Sequence, residues 1–249
     1  MIKAIVTDIE GTTSSIDFVH EVLFPYSTAA LPDYVRRHRG EKRVAALLND
    51  VAARAKLSVD DTEGQIQQLL DWIAADKKIT PLKSLQGLIW ESGYRNGEFK
   101  AHVYADAVEQ LKAWHQQGIE LYVYSSGSIF AQKLFFGYSE GGDLRFLFND
   151  YFDTTSGPKR DAASYRNIAR SIDKPPQEIL FLSDIVEELD AAQAANMHTV
   201  WVQREATGTA LVEQPPHVSV SSFNDIAPTS FGKGGSKTAP RQQQQQAQQ

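Results

Sequence analysis

The chain has 249 residues, a formal net charge of -6 at pH 7 and 42% hydrophobic residues. This length allows one large domain or a core with an insertion, and the acidic balance offers no basic surface for a nucleic-acid backbone, so no nucleic-acid partner is expected. The absence of cysteine excludes disulfides, thiolate metal sites and cysteine nucleophiles. A bound metal would therefore use oxygen or histidine ligands.

The beginning of the chain carries no leader signal, because strand-like residues follow Met1 directly, without a basic segment or a cleavage site. No stretch of the sequence approaches the roughly 20 apolar residues that a membrane span needs. We therefore expect a soluble cytoplasmic protein without membrane association.

The first predicted element is a buried strand over residues 2–6, a short apolar run that ends at Thr7-Asp8-Ile9-Glu10-Gly11-Thr12-Thr13. Asp8 and Glu10 are two residues apart, so extended backbone points both carboxylates the same way, and Gly11 allows the chain to turn. Acids at a strand end favour a divalent cation, although a turn alone explains such a pair equally well.

A helical insertion is predicted next, since strand signals disappear until residue 120. Apolar residues recur at helical spacing, each group with a polar opposite face: Val44, Leu47, Leu48 and Val51, then Ile66, Leu69, Leu70 and Ile73. Glycines and a proline are expected to break this pattern, at Pro81, Gly87, Gly93 and Gly97, before a helix over residues 105–115. We expect residues 15–105 to form a helical cap domain.

The rest of the chain alternates between strands and helices. Strands are predicted over 119–124, 151–154, 179–182 and 199–202, with helices over 129–136, 162–172 and 186–195 between them. This alternation predicts an α/β fold with a doubly wound, mostly parallel sheet, formed by residues 1–14 and 106–227. Residues 228–249 are polar and glutamine-rich, which predicts a disordered tail.

Polar residues follow three predicted strands: Asp8 and Glu10, then Ser125 and Ser126, then Asp184. Hydroxyls and amides at a helix start bind phosphate oxygens, but they also simply cap helices. Lys159 lies on a loop, where lysines are usually solvated. Beside a phosphate site it would act as a point cation. The shared position at strand ends indicates a single phosphate-handling site.

The chain order of Asp8, Ser125, Lys159 and Asp184 resembles the haloacid dehalogenase-like superfamily, which has a DxDxT-type loop, a strand-end hydroxyl, a lysine and a second acid. The resemblance implies a Rossmann-like core with an inserted cap. It makes Asp8 the nucleophile and a Mg²⁺ ligand and Asp184 a further ligand, with phosphate bound by Ser125 and Lys159. The acid four residues after Asp184, which is Glu188, would support the site from behind the ligands.

Glu10 occupies the position of the superfamily's proton-transfer acid, which is usually Asp. Haloacid dehalogenases, which expel halide, typically lack a carboxylate at this position. Retention of one argues for a phosphate ester as the substrate, with Glu10 protonating the leaving oxygen.

Three strings resemble the enolase-phosphatases of methionine salvage, also called acireductone synthases: residues 8–13, 124–128 and 131–134. The resemblance implies a monomeric, Mg²⁺-dependent enzyme that converts a small phosphorylated diketone, 2,3-diketo-5-methylthiopentyl 1-phosphate, to acireductone and phosphate through an aspartyl-phosphate. It assigns the metal to Asp8, Asp184 and Glu10, the last through its main-chain carbonyl, and the substrate to Ser125, Ser126 and Lys159.

Two alternatives remain open. One is a generic small-metabolite phosphatase of the same superfamily, with a cap that selects another ester. The other is a phospho-switch similar to response-regulator receivers, which also combine acids, a hydroxyl, a lysine and Mg²⁺ on a doubly wound sheet. Receivers have no cap and carry these residues in a different chain order, so the sequence disfavours the switch.

Overall fold

A six-stranded parallel sheet forms the centre of the computed structural model, which describes residues 1–204 and 216–231. Its strands are β1 (Ala4–Thr7), β2 (Glu120–Tyr124), β3 (Asp150–Phe152), β4 (Ile179–Ser183), β5 (His198–Val202) and β6 (Val218–Val220). The order β3-β2-β1-β4-β5-β6 places β1 between β2 and β4. This arrangement confirms the doubly wound α/β fold that the alternating pattern predicted.

Helices cover both faces of the sheet because both faces of its strands are apolar. The helices are α5 (Ala105–Gln116), α6 (Ile129–Gly137), α7 (Ala162–Ser171) and α8 (Val186–Ala194). One core cluster joins Ile5 of β1 with Leu111 of α5, and the other joins Val6 of β1 with Ile168 of α7. Alternate residues of β1 therefore belong to two different hydrophobic layers.

Between β1 and α5 the chain forms a separate helical layer. A π-helical turn (Phe18–Leu23) leads into α1 (Phe24–His38), α2 (Lys42–Ala55), α3 (Thr62–Ala74) and α4 (Thr80–Arg95). Helices α1 to α4 share a hydrophobic cluster of their own, which includes Leu31, Val51, Leu69 and Leu85. The buried residues of the π-helical turn belong instead to the cluster of Ile5 and Leu111. No helix in the described part of the chain is long and apolar enough to cross a membrane.

Helix α4 corrects one expectation, because Pro81, Gly87 and Gly93 do not break the helical pattern. Pro81 lies in the first turn, where its missing N–H is not needed. A Cβ on Gly87 would lie 3.3 Å from the ring of Phe130, and one on Gly93 would lie 2.6 Å from the ring of Phe99. Both glycines therefore allow close packing of aromatic rings against the helix.

The end of the described chain also differs from expectation. Strand β6, which the sequence did not indicate, pairs with β5 as a three-residue edge strand. The sequence assigned residues 228–231 to a disordered tail. In the structure, Pro228–Ser230 form a short 3₁₀ turn in which Pro228 is buried, and the ring centroid of Phe231 lies 5.6 Å from that of His198. The remainder of that tail lies outside the described residues.

Candidate active site

The three predicted polar clusters meet at the carboxyl edge of the sheet. Asp8 follows β1, Ser125 follows β2 and Asp184 follows β4, and these three strands are adjacent and parallel. The amide of Asp8 donates to the carbonyl of Leu182 in β4, which extends the sheet ladder to the site. A parallel sheet with helices on both faces binds ligands at such an edge, next to the point where the strand order reverses.

Asp8 is almost fully buried, and each of its carboxylate oxygens has a partner. Its Oδ1 accepts a 2.8 Å hydrogen bond from the amide of Ile9. Its Oδ2 lies 2.8 Å from Nζ of Lys159. The carboxylate is therefore held in one orientation beside a positive charge.

Lys159 joins Asp8 to Glu188, because its Nζ also lies 2.8 Å from Oε2 of Glu188. Burial alone would lower the pKa of Lys159, but the negative charges of Asp8 and Glu188 outweigh it and raise that pKa above its ordinary value. The hydroxyl of Tyr165 donates to the carbonyl of Lys159 at 2.6 Å, which fixes the backbone of its loop.

Glu188 is a buried acid on the first turn of α8. It accepts a 3.0 Å hydrogen bond from the hydroxyl of Ser183 in addition to its contact with Lys159. Burial, followed by the negative charge of Asp8, raises the pKa of Glu188 above its ordinary value. The arrangement therefore sets one ammonium between two carboxylates.

Asp184 lies against the loop that follows Asp8. Gly11 has a φ of +71°, and a Cβ added there would lie 2.2 Å from Oδ2 of Asp184. The hydroxyl of Thr12 approaches Oδ1 of Asp184 at 3.5 Å, and the indole of Trp201 donates to its main-chain carbonyl at 2.9 Å. Burial, with the charge of Asp8, raises the pKa of Asp184 to about 6.

Glu10 is positioned by the same loop, where its backbone bridges to that of Ser14. Burial, followed by the negative charge of Asp8, raises the pKa of its carboxyl. Positive charge on Lys159, and on Lys78 and His20 of the helical layer, acts in the opposite direction but does not reverse the shift. Glu10 therefore holds a proton more readily than an exposed glutamate does.

The loop after β2 leads into α6 and carries the predicted substrate residues. The hydroxyl of Ser125 accepts from the amide of Gly127 at 3.2 Å, and Ser128 caps α6 by accepting from the amide of Ala131. Gln132 reaches back from α6, and its amide donates at 2.8 Å to the carbonyl of Gly127. The loop is thus a rigid turn at a helix N-terminus, a structure suited to an anion.

A cavity of 420 Å³ contains the predicted site residues. Its lining residues are Asp8, Glu10, Ile16, Ser125, Ser126, Thr154, Pro158, Lys159, Arg160, Asp184, Ile185 and Glu188. Sequence reasoning missed five lining residues: Ile16, Thr154, Pro158, Arg160 and Ile185. The sequence offered a signal only for the three that are next to a predicted site residue, namely Pro158 and Arg160 beside Lys159 and Ile185 beside Asp184.

The donor set at this edge fits a small divalent cation. Burial, followed by the negative charge of Asp8, raises the pKa of Asp184, and a nearby cation would relieve both effects. Gly11 leaves open the space that a side chain would fill against Asp184. Within residues 1–204 and 216–231, no three histidine, aspartate or glutamate side chains are grouped as a metal cage. Two carboxylates with a carbonyl, water and phosphate oxygens suit Mg²⁺, which usually keeps several non-protein ligands.

A family model described as "haloacid dehalogenase-like hydrolase" matches residues 2–196. That range contains all the strand-end residues described above. The chain belongs to the haloacid dehalogenase-like hydrolases, the class that the fold and the position of the site define.

Curated relatives narrow this assignment. The chain is 59% identical over 230 residues to Enolase-phosphatase E1 of Pseudomonas savastanoi pv. phaseolicola, covering 92% of this chain and 99% of that protein. It is 56% identical over 227 residues to Enolase-phosphatase E1 of Azotobacter vinelandii, covering 91% and 98%. Within its class, the chain is a member of the enolase-phosphatase E1 family and is a phosphatase.

A solved structure is similar to this chain in fold and in sequence. The UTR4 protein of Saccharomyces cerevisiae superposes with a TM-score of 0.80 at 35% sequence identity, covering 91% of this chain and 100% of that protein. The likeness includes the helical layer as well as the sheet, since it extends over nearly the whole chain.

Proposed function

We propose that the protein converts 2,3-diketo-5-methylthiopentyl 1-phosphate to acireductone and inorganic phosphate. The observation that carries the proposal is the contact of Asp8 with Lys159, whose carboxylate and ammonium lie 2.8 Å apart in the lining of a cavity that Glu10 and Ser125 also line. One cavity is thus lined by the groups that we assign as nucleophile, cation, proton-transfer acid and phosphate-binding loop. The family relationship supplies the choice of a diketo phosphate.

Asp8 is the nucleophile in this proposal. One carboxylate oxygen attacks phosphorus, the bond from phosphorus to the leaving oxygen breaks, and an aspartyl-phosphate forms. The amide of Ile9 and the ammonium of Lys159 hold the carboxylate in place for this attack. Lys159, Ser125 and Ser126 bind the phosphate oxygens, on which negative charge spreads during the transfer.

Glu10 transfers protons in both halves of the hydrolysis. Its raised pKa favours the protonated form that the leaving oxygen requires. After donation, the carboxylate accepts a proton from the water that attacks the aspartyl-phosphate. Loss of this proton to solvent as phosphate leaves restores the ionised Glu10 for the next cycle.

The predicted metal site consists of the carboxylates of Asp8 and Asp184 with the main-chain carbonyl of Glu10. When bound there, Mg²⁺ would neutralise charge on the phosphate. The contacts of Asp184 with Gly11 and Thr12 orient its carboxylate toward the loop of Asp8. Glu188 supports the site through its contact with Lys159.

Enolisation requires a base for a proton on the carbon that bears the phosphate, and we assign this role to the ionised form of Glu10, which thereby gains the proton that the leaving oxygen later receives. Substitution of Glu10 by Gln should lower kcat by about 10²–10⁴-fold, the usual contribution of general acid–base catalysis. Ultraviolet absorbance would follow the enolate. Formation of enolate at the wild-type rate by Glu10→Gln would show that another residue is the base.

The whole proposal is tested by incubating the protein with the diketo phosphate and recording both phosphate release and acireductone absorbance, with and without Mg²⁺. We expect both signals with Mg²⁺ and neither from Asp8→Asn. A strong preference for a sugar phosphate would indicate a generic phosphatase. A stable stoichiometric phosphoprotein without turnover would indicate a phospho-switch.

The remaining parts of the proposal concern organisation. We infer a core domain of residues 1–14 and 106–227, with residues 15–105 as the cap, a monomeric state and a cytoplasmic location. The separate hydrophobic cluster of α1–α4 supports the division into core and cap. Limited proteolysis, light scattering and cell fractionation would test these points.

A further inference from the structure

The loop that carries Glu10 is anchored by two residues that do not line the cavity, Arg204 and Tyr104. Thr12 and Thr13 are fully buried, and both of their carbonyls have donors. The carbonyl of Thr12 accepts a 2.8 Å hydrogen bond from Nε of Arg204, and that of Thr13 accepts one of 3.0 Å from the amide of Tyr104. The first donor is a side chain 192 residues away in sequence.

Arg204 follows β5, and its side chain is only 7% exposed. Its guanidinium lies between two rings, 4.2 Å from the centroid of Tyr104 and 4.7 Å from that of Phe223. Its Nη1 donates to Oδ2 of Asp106 at 2.5 Å. The same Oδ2 also accepts from the hydroxyl of Ser222 and the amide of Phe223.

These contacts connect three segments that are distant in sequence. Thr12 belongs to the loop that leaves β1, Tyr104 lies where the chain returns from the helical layer, and Phe223 follows the edge strand β6. A planar guanidinium can donate hydrogen bonds to Thr12 and Asp106 and stack on both rings at the same time. The ammonium of a lysine could make only some of these four contacts.

We propose that Arg204 is a positioning residue for phosphoryl transfer, which acts through Thr12 on Glu10 and Asp184. Thr12 is two residues after Glu10, and its hydroxyl lies 3.5 Å from Oδ1 of Asp184. A shift of the Thr12 carbonyl therefore moves both the backbone that carries Glu10 and the hydroxyl that approaches Asp184. Within the described residues, the hydrogen bonds and ring contacts of Arg204 go to Thr12, Asp106, Tyr104 and Phe223, none of which lines the cavity, so we expect its effect on geometry and not on substrate binding. This inference rests on the proposed function.

The test compares Arg204→Gln and Arg204→Lys with the wild type. Misplacement of catalytic groups by about 1 Å can lower the rate by about 100-fold, so we expect Arg204→Gln to lower kcat at least about tenfold while KM changes less than about threefold. Arg204→Lys keeps the charge and one donor, and should retain an intermediate kcat.

Lys174→Gln is the matched control. Lys174 forms another partly buried ion pair, with Nζ 2.8 Å from Oε1 of Glu120, at the opposite end of β2 from Ser125. We expect this variant to lower the melting temperature while kcat stays unchanged at temperatures where circular dichroism shows a folded protein. A purely structural role for Arg204 would give the same result as this control.

An unchanged kcat in folded Arg204→Gln would overturn the inference. If that variant does not fold, Arg204→Lys decides: wild-type kcat overturns the inference, and a lowered kcat at unchanged KM supports it.

p-Nitrophenyl phosphate serves as a second substrate. Wild-type hydrolysis of this ester without turnover of the diketo phosphate would contradict the proposed function, while the Arg204 variants could still be compared on the aryl ester.

Discussion

The ammonium of Lys83, on helix α4, donates a 3.0 Å hydrogen bond to the main-chain carbonyl of Ser126 in the loop after β2. Helix α4 also packs directly on α6, where Gly87 makes room for the ring of Phe130. The helical layer is thus fixed to the loop that we expect to bind phosphate.

We predict that Lys83→Met weakens substrate binding. Loss of one hydrogen bond of about 1 kcal/mol should raise KM about fivefold, because the loop is no longer held in its binding conformation, while kcat changes little. Steady-state kinetics would measure KM and kcat separately. Lys112→Met, at an exposed position of α5, removes the same charge and should leave KM unchanged. Equal KM values for the two variants would contradict the prediction.

Removal of the Lys159 ammonium between Asp8 and Glu188 should lower both stability and activity, and a second substitution should restore only the stability. Lys159→Met leaves two buried carboxylates without a cation, and loss of one partner from a buried ion pair costs about 3–5 kcal/mol of unfolding free energy. The double variant Lys159→Met/Glu188→Gln removes one of those charges. It should regain at least about 1 kcal/mol in denaturant unfolding but no activity.

A double variant that is as unstable as Lys159→Met would show that repulsion between Asp8 and Glu188 does not cause the loss. Recovery of activity along with stability would show that Lys159 does not act on the substrate.

The raised pKa of Asp184 predicts a pH-dependent stability of the metal-free protein. The folded pKa of about 6 exceeds the ordinary value of 3.8, so the folded state binds more protons than the unfolded state between these values. The associated stability is present below about pH 4 and is lost as pH rises through 6. After allowance for partial exposure, the loss is about 1–2 kcal/mol.

Thermal unfolding in EDTA, measured between pH 4.5 and 7.5, would test this dependence. Asp184→Asn lacks the titrating group and should show a flatter curve. Added Mg²⁺ should raise the melting temperature of the wild type at pH 7.5 but not that of Asp184→Asn, because a cation favours the ionised carboxylate. Identical curves for the two proteins would contradict the prediction.

Much of this architecture could be predicted because its signals are local. The apolar runs before Asp8, Ser125 and Asp184 indicate buried strands, and parallel strands necessarily bring their carboxyl ends to one edge. The fold class was therefore confirmed. The catalytic and metal-binding roles of these residues remain predictions.

Other features depend on packing that no local pattern records. Gly87 and Gly93 indicated breaks because glycine is a poor helix former, but their helix is stabilised by rings that come from elsewhere in the chain. Strand β6 is short and partly exposed, so it lacks an apolar run. The contacts of Lys83 and Arg204 join segments that only the folded chain brings together.

Gly11 provides the sharpest test of the loop geometry. Gly11→Ala imposes a left-handed conformation on an alanine and places a methyl group against the carboxylate of Asp184. Gly97 has nearly the same φ, +73°, but a Cβ there would meet nothing within 4 Å.

Both alanine variants should lose about 1–2 kcal/mol of unfolding free energy from backbone strain. Only Gly11→Ala should also lower kcat/KM and raise the Mg²⁺ concentration needed for half-maximal activity. Gly97→Ala should match the wild type in both. If Gly11→Ala matches Gly97→Ala in kcat/KM and in the Mg²⁺ concentration needed for half-maximal activity, the close approach of Gly11 to Asp184 does not set the metal-binding geometry.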